Sequence, residues 1–295
     1  MPDIAPRLDL SRVAGAPISW GVCEVPGWGH QLEVERVLGE MRGLGLTATE
    51  FGPDGFLPAA ADKRRALLDA AGLRALGGFV PVVLFDDHDP LPEVEAFLDD
   101  AAAVGADVLV LAAATGQDGY DARPELTEAQ WAVLLANLDR IAARADERGV
   151  TATLHPHVGT MVETGEEVDR VLAGSRIALT LDTGHLLVGG SDPVALARRV
   201  PERVAHVHLK DVDAGLAAEV GAGRLTYSEA VRAGMYRPLG RGDVDVEALV
   251  AALEGVGYRG WYVLEQDVML DGEPDGEGPV TDVRASLDHL LALGR

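Results

Sequence analysis

Thr151-Ala-Thr-Leu-His155-Pro-His157, Ile177-Ala-Leu-Thr-Leu-Asp182-Thr-Gly-His185, Val204-Ala-His-Val-His208-Leu-Lys-Asp211 and Trp261-Tyr-Val-Leu-Glu265-Gln-Asp267 follow one pattern. In each, a short apolar run meets His, Asp or Glu just before the chain breaks into a Gly- or Asp-rich loop. Five of the eight histidines fall within positions 155 to 208. Parallel strands that present such groups at their carboxyl ends would gather them around one point above a barrel. The four segments therefore predict both a parallel architecture and a metal-binding cluster.

The rest of the chain alternates in the same way. Further strands are expected at Ile18–Cys23, Thr47–Gly52, Gly77–Phe85 and Asp107–Ala113, which brings the number to eight. All are continuous apolar runs, as suits parallel strands covered on both faces. Helices are expected over Leu32–Leu44, Ala61–Ala71, Leu91–Val104 and Val246–Leu253. Trp131, Leu134, Leu135, Leu138 and Ile141 mark another at helical spacing, opened by Thr127 and Gln130 as a capping box. Thr164 and Glu167 open a further helix, and Val283, Leu287, Leu290 and Leu291 mark the last. Gly43, Gly149 and Gly257 stand where such helices would stop.

Eight strand–helix units with no hairpin signal predict an α/β fold, a single (β/α)8 TIM barrel spanning residues 1–295. A doubly wound open sheet would want a Gly-x-Gly-x-x-Gly turn after the first strand, and none is present. Gly240-Arg-Gly242 reads as a turn. One long connection, Val212 to Asp245, carries its own short helix around Tyr227–Arg232, and connections of that length often act as lids.

Charge narrows the partners. With 25 basic and 48 acidic residues the formal balance is −23, and such a surface repels phosphate backbones. No nucleic-acid partner is expected, and a small molecule is. A single cysteine, Cys23, permits no internal disulfide and fits a reducing compartment. Met1–Arg7 show neither a basic n-region nor an apolar h-region. No uncharged stretch reaches the roughly 20 residues of a membrane span. A cytoplasmic location is expected, with homo-oligomers left open.

Two carboxylates and one or two imidazoles suit a borderline divalent ion: Mn²⁺, Co²⁺, Fe²⁺ or Zn²⁺. The absence of thiolates argues against structural zinc. Fewer than six protein ligands would leave room for a bidentate hydroxy-ketone. Polarising its carbonyl makes proton abstraction beside it feasible near neutral pH. His206 and His208 alternate on one strand and so share a face. Glu50 and the Asp86–Asp89 loop end strands and could meet substrate hydroxyls. Lys210 is a candidate to hold a developing oxyanion or to pair with Asp211. Trp20 and Trp28 could wall the pocket.

Together with Glu50-Phe-Gly-Pro, the four segments resemble the xylose-isomerase-like sugar isomerase/epimerase superfamily of metal-dependent TIM barrels. The resemblance runs from about Ile18 to Asp267. It implies Asp182, His208 and Glu265 as the second, third and fourth metal ligands, with His185 on the substrate side. The first ligand, usually Glu there, is His155 here, with His157 as the alternative. That departure, with Glu163-Thr-Gly-Glu, Asp182-Thr-Gly-His-Leu-Leu and the insert with Ala230-Val-Arg-Ala-Gly, looks more like the myo-inosose-2 dehydratase branch. The branch implies dehydration of 2-keto-myo-inositol in inositol breakdown, with Mn²⁺ or Co²⁺ ahead of Zn²⁺, Fe²⁺ or Mg²⁺. Glu265, His157, His185 and Lys210 are then the candidate catalytic groups, and Glu50, Trp20, His185 and Lys210 the candidate substrate contacts. An isomerase or epimerase working through an enediolate is the alternative. A DNA-repair endonuclease on the same barrel would need more ligands and a basic groove, and a non-catalytic barrel would have lost these ligand positions.

Overall fold

A computed structural model describes residues 8–117 and 119–293. Met1–Arg7, where a leader was sought, lie outside the described residues. Eleven strands occur among those described: β1 (Val13–Gly15), β2 (Ala48–Thr49), β3 (Arg74–Ala75), β4 (Gly77–Val83), β5 (Val108–Ala114), β6 (Thr151–Leu154), β7 (Ala178–Asp182), β8 (Val204–Leu209), β9 (Asp211–Val212), β10 (Tyr236–Arg237) and β11 (Tyr262–Leu264). Nine of them form one parallel sheet in the order β3-β2-β1-β11-β8-β7-β6-β5-β4.

The two ends of that sheet are one stave. β3 and β4 are separated only by Leu76, whose N–H donates to Thr49 O at 2.9 Å on one side. Its carbonyl accepts from Asp107 and Val108 N–H, both at 3.0 Å, on the other. The sheet thereby closes into the eight staves of a TIM barrel. Closure brings the backbones so near that a Cβ on Gly77 would lie 1.8 Å from Val108 O, which is why glycine stands there.

The helices return the chain outside the barrel: α1 (Val34–Gly43), α2 (Ala61–Ala71), α3 (Leu91–Val104), α4 (Glu128–Glu147), α5 (Gly165–Gly174), α6 (Thr183–Val188), α7 (Pro193–Arg199), α8 (Ala214–Gly221), α9 (Tyr227–Arg232), α10 (Val246–Gly255) and α11 (Val280–Leu293). The capping boxes expected at Thr127 and Thr164 are both formed, and Thr226 with Glu229 makes a third. Leu134, Leu138 and Ile141 on the inner face of α4 are fully buried. Burying each such side chain stabilises the fold by about 1.5–3 kcal/mol relative to exposure.

Two expectations need correction. The first strand is Val13–Gly15 and not Ile18–Cys23. Pro17 starts a 3-10 turn over Pro17–Trp20, and Gly21 then reverses the chain at φ 79°. The apolar run at 18–23 thus reads like a strand but packs as a turn. A short antiparallel ladder also exists. β9 and β10 pair within the long connection, which holds α8 and α9 between them.

The Asp211 carboxylate explains how that connection closes. It accepts from the N–H groups of Val212 (2.9 Å), Gly240 (2.8 Å), Gly242 (2.9 Å) and Val244 (3.0 Å). The Gly240-Arg-Gly242 turn wraps around it so tightly that a Cβ on Gly242 would meet Asp211 Oδ1 at 2.3 Å. Asp211 is therefore committed to the turn and does not pair with Lys210.

Candidate active site

Four staves bring their terminal side chains together. His155 still belongs to the ladder of β6, its N–H donating to Leu111 O at 2.8 Å. Asp182 closes β7 and caps α6, with Oδ1 accepting from the Gly184 and His185 N–H groups, both at 2.8 Å. His206 and His208 point inward from β8. Glu265 follows β11, its N–H bonded to Leu209 O at 3.1 Å.

The free ends of these groups form a chain of close approaches. His155 Nε2 lies 3.4 Å from Asp182 Oδ2, which lies 3.6 Å from His208 Nδ1, which lies 3.2 Å from Glu265 Oε2. Donors held about 2.0–2.2 Å from a tetrahedrally coordinated ion are about 3.3–3.6 Å apart. Asp182 Oδ2 and His208 Nδ1 are buried and have no hydrogen-bond partner. Unpaired polar atoms cost free energy in a protein interior, so two adjacent ones call for a missing partner.

The imidazoles are oriented for that partner. His155 Nδ1 lies 3.0 Å from Pro156 O, a group that can only accept, so this nitrogen carries the proton and Nε2 keeps its lone pair. His208 Nε2 lies 3.0 Å from Glu50 Oε1, which leaves Nδ1 facing Asp182 and Glu265. Burial opposes charge on this ring, but Glu265 and Glu50 hold its pKa well above the ordinary value, so an ion there would displace the Nδ1 proton. A metal-binding histidine needs this arrangement, with the opposite N–H held by a carbonyl or carboxylate. The donor set fits a divalent ion.

A buried cation adjoins the cluster. Lys210 Nζ lies 2.7 Å from Asp267 Oδ1, 3.0 Å from Glu265 Oε2 and 3.5 Å from Asp182 Oδ2. Burial disfavours its charge, but Asp182, Asp267 and Glu265 outweigh burial and hold its pKa well above the ordinary value. Burial likewise penalises the Glu265 carboxylate, yet His208 and Lys210 hold its pKa down at about 2. Asp267 is raised, chiefly by burial.

Above these groups lies a cavity of about 760 Å³, walled in part by His155, His157, His208, Lys210, Glu265 and Asp267. A second hollow of about 560 Å³, beside Asp192, Arg198 and Asp243, holds none of the clustered groups. His157 presents its ring to the main cavity. Its Nδ1–H donates to Val158 O at 2.7 Å, so Nε2 is free of protons. Burial, then His155 and Lys210, push its pKa down to about 3.

Not every expected residue reaches that space. His185 lies one layer back. Its ring packs on His157 with centroids 3.7 Å apart, its Nε2 is 3.2 Å from Lys210 Nζ, and it is not part of the cavity wall. Trp20 is fully buried with its indole N–H on Glu40 at 2.7 Å, behind the wall, whereas Trp28 is on it. Trp20 closes the Pro17–Trp20 turn, and its ring packs into the core instead of the wall. Glu50 does border the cavity, but its Oε1 accepts from His206 at 2.8 Å as well as from His208. The Asp86–Asp89 loop stays outside the wall, with His88 bonded to Asp86.

Four rings near the site had no sequence signal. Phe79 and Tyr120 pack on His157 at 5.4 and 5.2 Å. Tyr227 donates to Asp267 Oδ2 at 2.6 Å and meets the Tyr236 hydroxyl at 2.9 Å. The 212–245 connection thus reaches the groups that hold Lys210. The helix bearing Tyr227 was legible, but no pattern within it indicates where its ring returns.

The model of the xylose isomerase-like TIM barrel family matches residues 38–293. The chain belongs to the xylose isomerase-like TIM barrel family. The rhizopine catabolism protein MocC of Rhizobium meliloti is 34% identical over 294 residues, covering 96% of this chain and 88% of that protein. An inosose dehydratase of Geobacillus kaustophilus is 34% identical over 297 residues, covering 96% of this chain and 94% of its own. Among solved structures, the IolI protein with a bound zinc atom superposes with a TM-score of 0.69 at 14% identity, over 96% of this chain and 98% of that one. At that identity the likeness is one of fold. Among the described residues no helix is long and apolar enough to cross a membrane.

Proposed function

We propose that this chain is a metal-dependent dehydratase acting on a cyclic polyol ketone, 2-keto-myo-inositol, in inositol breakdown. The observation that carries the reading is the gathering of His155, Asp182 and His208 about one point, with Asp182 Oδ2 and His208 Nδ1 orphaned and Glu265 beside His208, next to a cavity walled in part by His155, His208 and Glu265 together with His157 and Lys210. Relatives named inosose dehydratase, covering most of the chain, support the substrate. Held by His155, Asp182, His208 and Glu265, a divalent ion (Mn²⁺ or Co²⁺ ahead of Zn²⁺, Fe²⁺ or Mg²⁺) would supply Lewis-acid polarisation of the ketone.

The side chains divide the proton transfers. His157 is neutral, with its proton fixed on Nδ1, so Nε2 is the base for the proton α to the carbonyl. Lys210 is kept charged by its carboxylates and can protonate the departing β-hydroxyl. The C–H proton passes to Nε2, the C–O bond breaks, and water leaves with the proton from Nζ. The resulting enol tautomerises to a diketone, with no oxidant or reductant required. His185 supports both groups from behind, through its contact with the His157 ring and its approach to Nζ.

An epimerase would return a proton to the opposite face of the same carbon, so product mass separates the two chemistries. Keto-inositols and ketohexoses should be offered to metal-replete protein and the products weighed. Loss of one water supports the dehydratase, whereas an isomer of unchanged mass moves the chain to the epimerase reading. Chelation should abolish turnover and added Mn²⁺ or Co²⁺ should restore it. Turnover that persists after the ion is removed refutes the metal assignment.

A further inference from the structure

Glu50 follows β2, across the barrel from β8, and its place in the site is unusual. One oxygen, Oε1, accepts two ring N–H groups: His206 Nε2 at 2.8 Å and His208 Nε2 at 3.0 Å. All three side chains are buried. Their atoms are close enough for the trio to be considered a second ion site. The separations decide against it. They are hydrogen-bond lengths, shorter than the roughly 3.3–3.6 Å between donors sharing a tetrahedral ion, and each carries a ring N–H between its two atoms.

A neutral imidazole, the form that binds an ion, keeps a lone pair on one nitrogen when it commits the N–H of the other. On His208 that nitrogen is Nδ1, the orphaned atom 3.6 Å from Asp182 Oδ2 and 3.2 Å from Glu265 Oε2. We infer that Glu50 is a positioning residue that loads His208 for the divalent ion by fixing its Nε2–H tautomer and ring orientation. A carboxylate bound to one ring could rotate away. The second N–H, from His206 on the same face of the same strand, pins the accepting oxygen. His206 makes no other side-chain hydrogen bond among the described residues, since its own Nδ1 is buried without a partner. Its contribution is to hold Glu50, and Glu50 holds His208.

The inference rests on the metal site proposed above, and one binding experiment separates the two. The dissociation constant for Co²⁺ is measured without substrate, by competition with a chromogenic chelator, on the whole chain and on Glu50→Gln. The amide keeps the shape and an acceptor oxygen but loses the charge. Co²⁺ should bind the variant about 10- to 100-fold more weakly, the range for loss of such supporting partners. The visible spectrum of bound Co²⁺ should change as well, while the metal-free melting temperature stays near that of the parent. A merely structural role for Glu50 would move the melting temperature and leave both metal readouts alone. If the parent takes up no stoichiometric Co²⁺, the metal site fails and the inference with it. If the parent binds one Co²⁺ and Glu50→Gln binds it within about threefold, the site stands and the role of Glu50 is overturned. Should Glu50→Gln fail to fold, Glu50→Asp carries the test. It keeps the charge but withdraws the oxygen, so unchanged affinity there also overturns the role.

Discussion

Lys210→Met should destabilise the metal-free protein and make its stability depend on added metal. Three carboxylates face Nζ, at 2.7, 3.0 and 3.5 Å, and the side chain is fully buried. Methionine fills the same volume but leaves Asp182, Glu265 and Asp267 crowded together without their counter-charge. Breaking a buried ion pair on one side costs about 3–5 kcal/mol, because the remaining charge stays desolvated. For a chain of this size that corresponds to a melting point roughly 5–15 °C lower. Partial protonation of Asp267, whose pKa burial already raises, softens the loss without removing it. A divalent cation touching Asp182 and Glu265 would restore most of the missing charge. The added Mn²⁺ or Co²⁺ should therefore raise the melting point further in Lys210→Met than in the parent. Differential scanning calorimetry on metal-free protein, with and without saturating ion, measures both shifts. If the metal-free variant melts with the parent, Lys210 does not neutralise the cluster. If the ion stabilises both proteins equally, the ion does not bind where the lysine acts.

His157→Asn should reduce turnover by at least about 100-fold, as expected for loss of a general base, with metal content unchanged by elemental analysis. His185→Asn should leave more activity, since His185 does not border the cavity; the opposite ranking would return the substrate-side role to His185. Asp211→Ala strands the N–H groups of Val212 and Val244, both buried, at about 1–3 kcal/mol each, while Gly240 and Gly242 can turn to water. Denaturant melts should show a loss of about 2–6 kcal/mol, and a change below about 1 kcal/mol would mean that the turn is held by something else.

The fold was legible wherever a strand was long enough to carry a pattern. β4, β5, β7 and β8 each have five to seven residues, and α2 and α3 begin and end where composition and spacing place them. β1 has three residues, Val-Ala-Gly, whose small side chains suit a crowded stave: a Cβ on Gly15 would already stand 3.1 Å from Leu46 and 3.2 Å from Met41. That crowding is a tertiary fact, and a more apolar run five residues on took the strand's place in the sequence reading. β9 and β10 were invisible for a related reason. Two residues each, they pair because Asp211 gathers the returning turn, and no local periodicity records such a contact.

In the site, residue types were readable and directions were not. His155 and His157 stand two apart, and an undisturbed strand would point both the same way. The strand ends between them. His155 still bonds to Leu111 on β5, whereas the N–H of His157 has turned to Val162 O at 3.0 Å, with Pro156 offering no N–H in between. One ring consequently meets Asp182 and the other stacks on His185 at the cavity. This division also bears on charge. Where the superfamily it resembles usually has Glu, this chain has His155, so in the proposed site Asp182 and Glu265 together would balance a divalent cation without excess. An additional carboxylate would make the cluster anionic and weaken the ion's pull on a substrate carbonyl. Histidine at 155 would preserve that pull, with Lys210 shared among Asp267, Glu265 and Asp182.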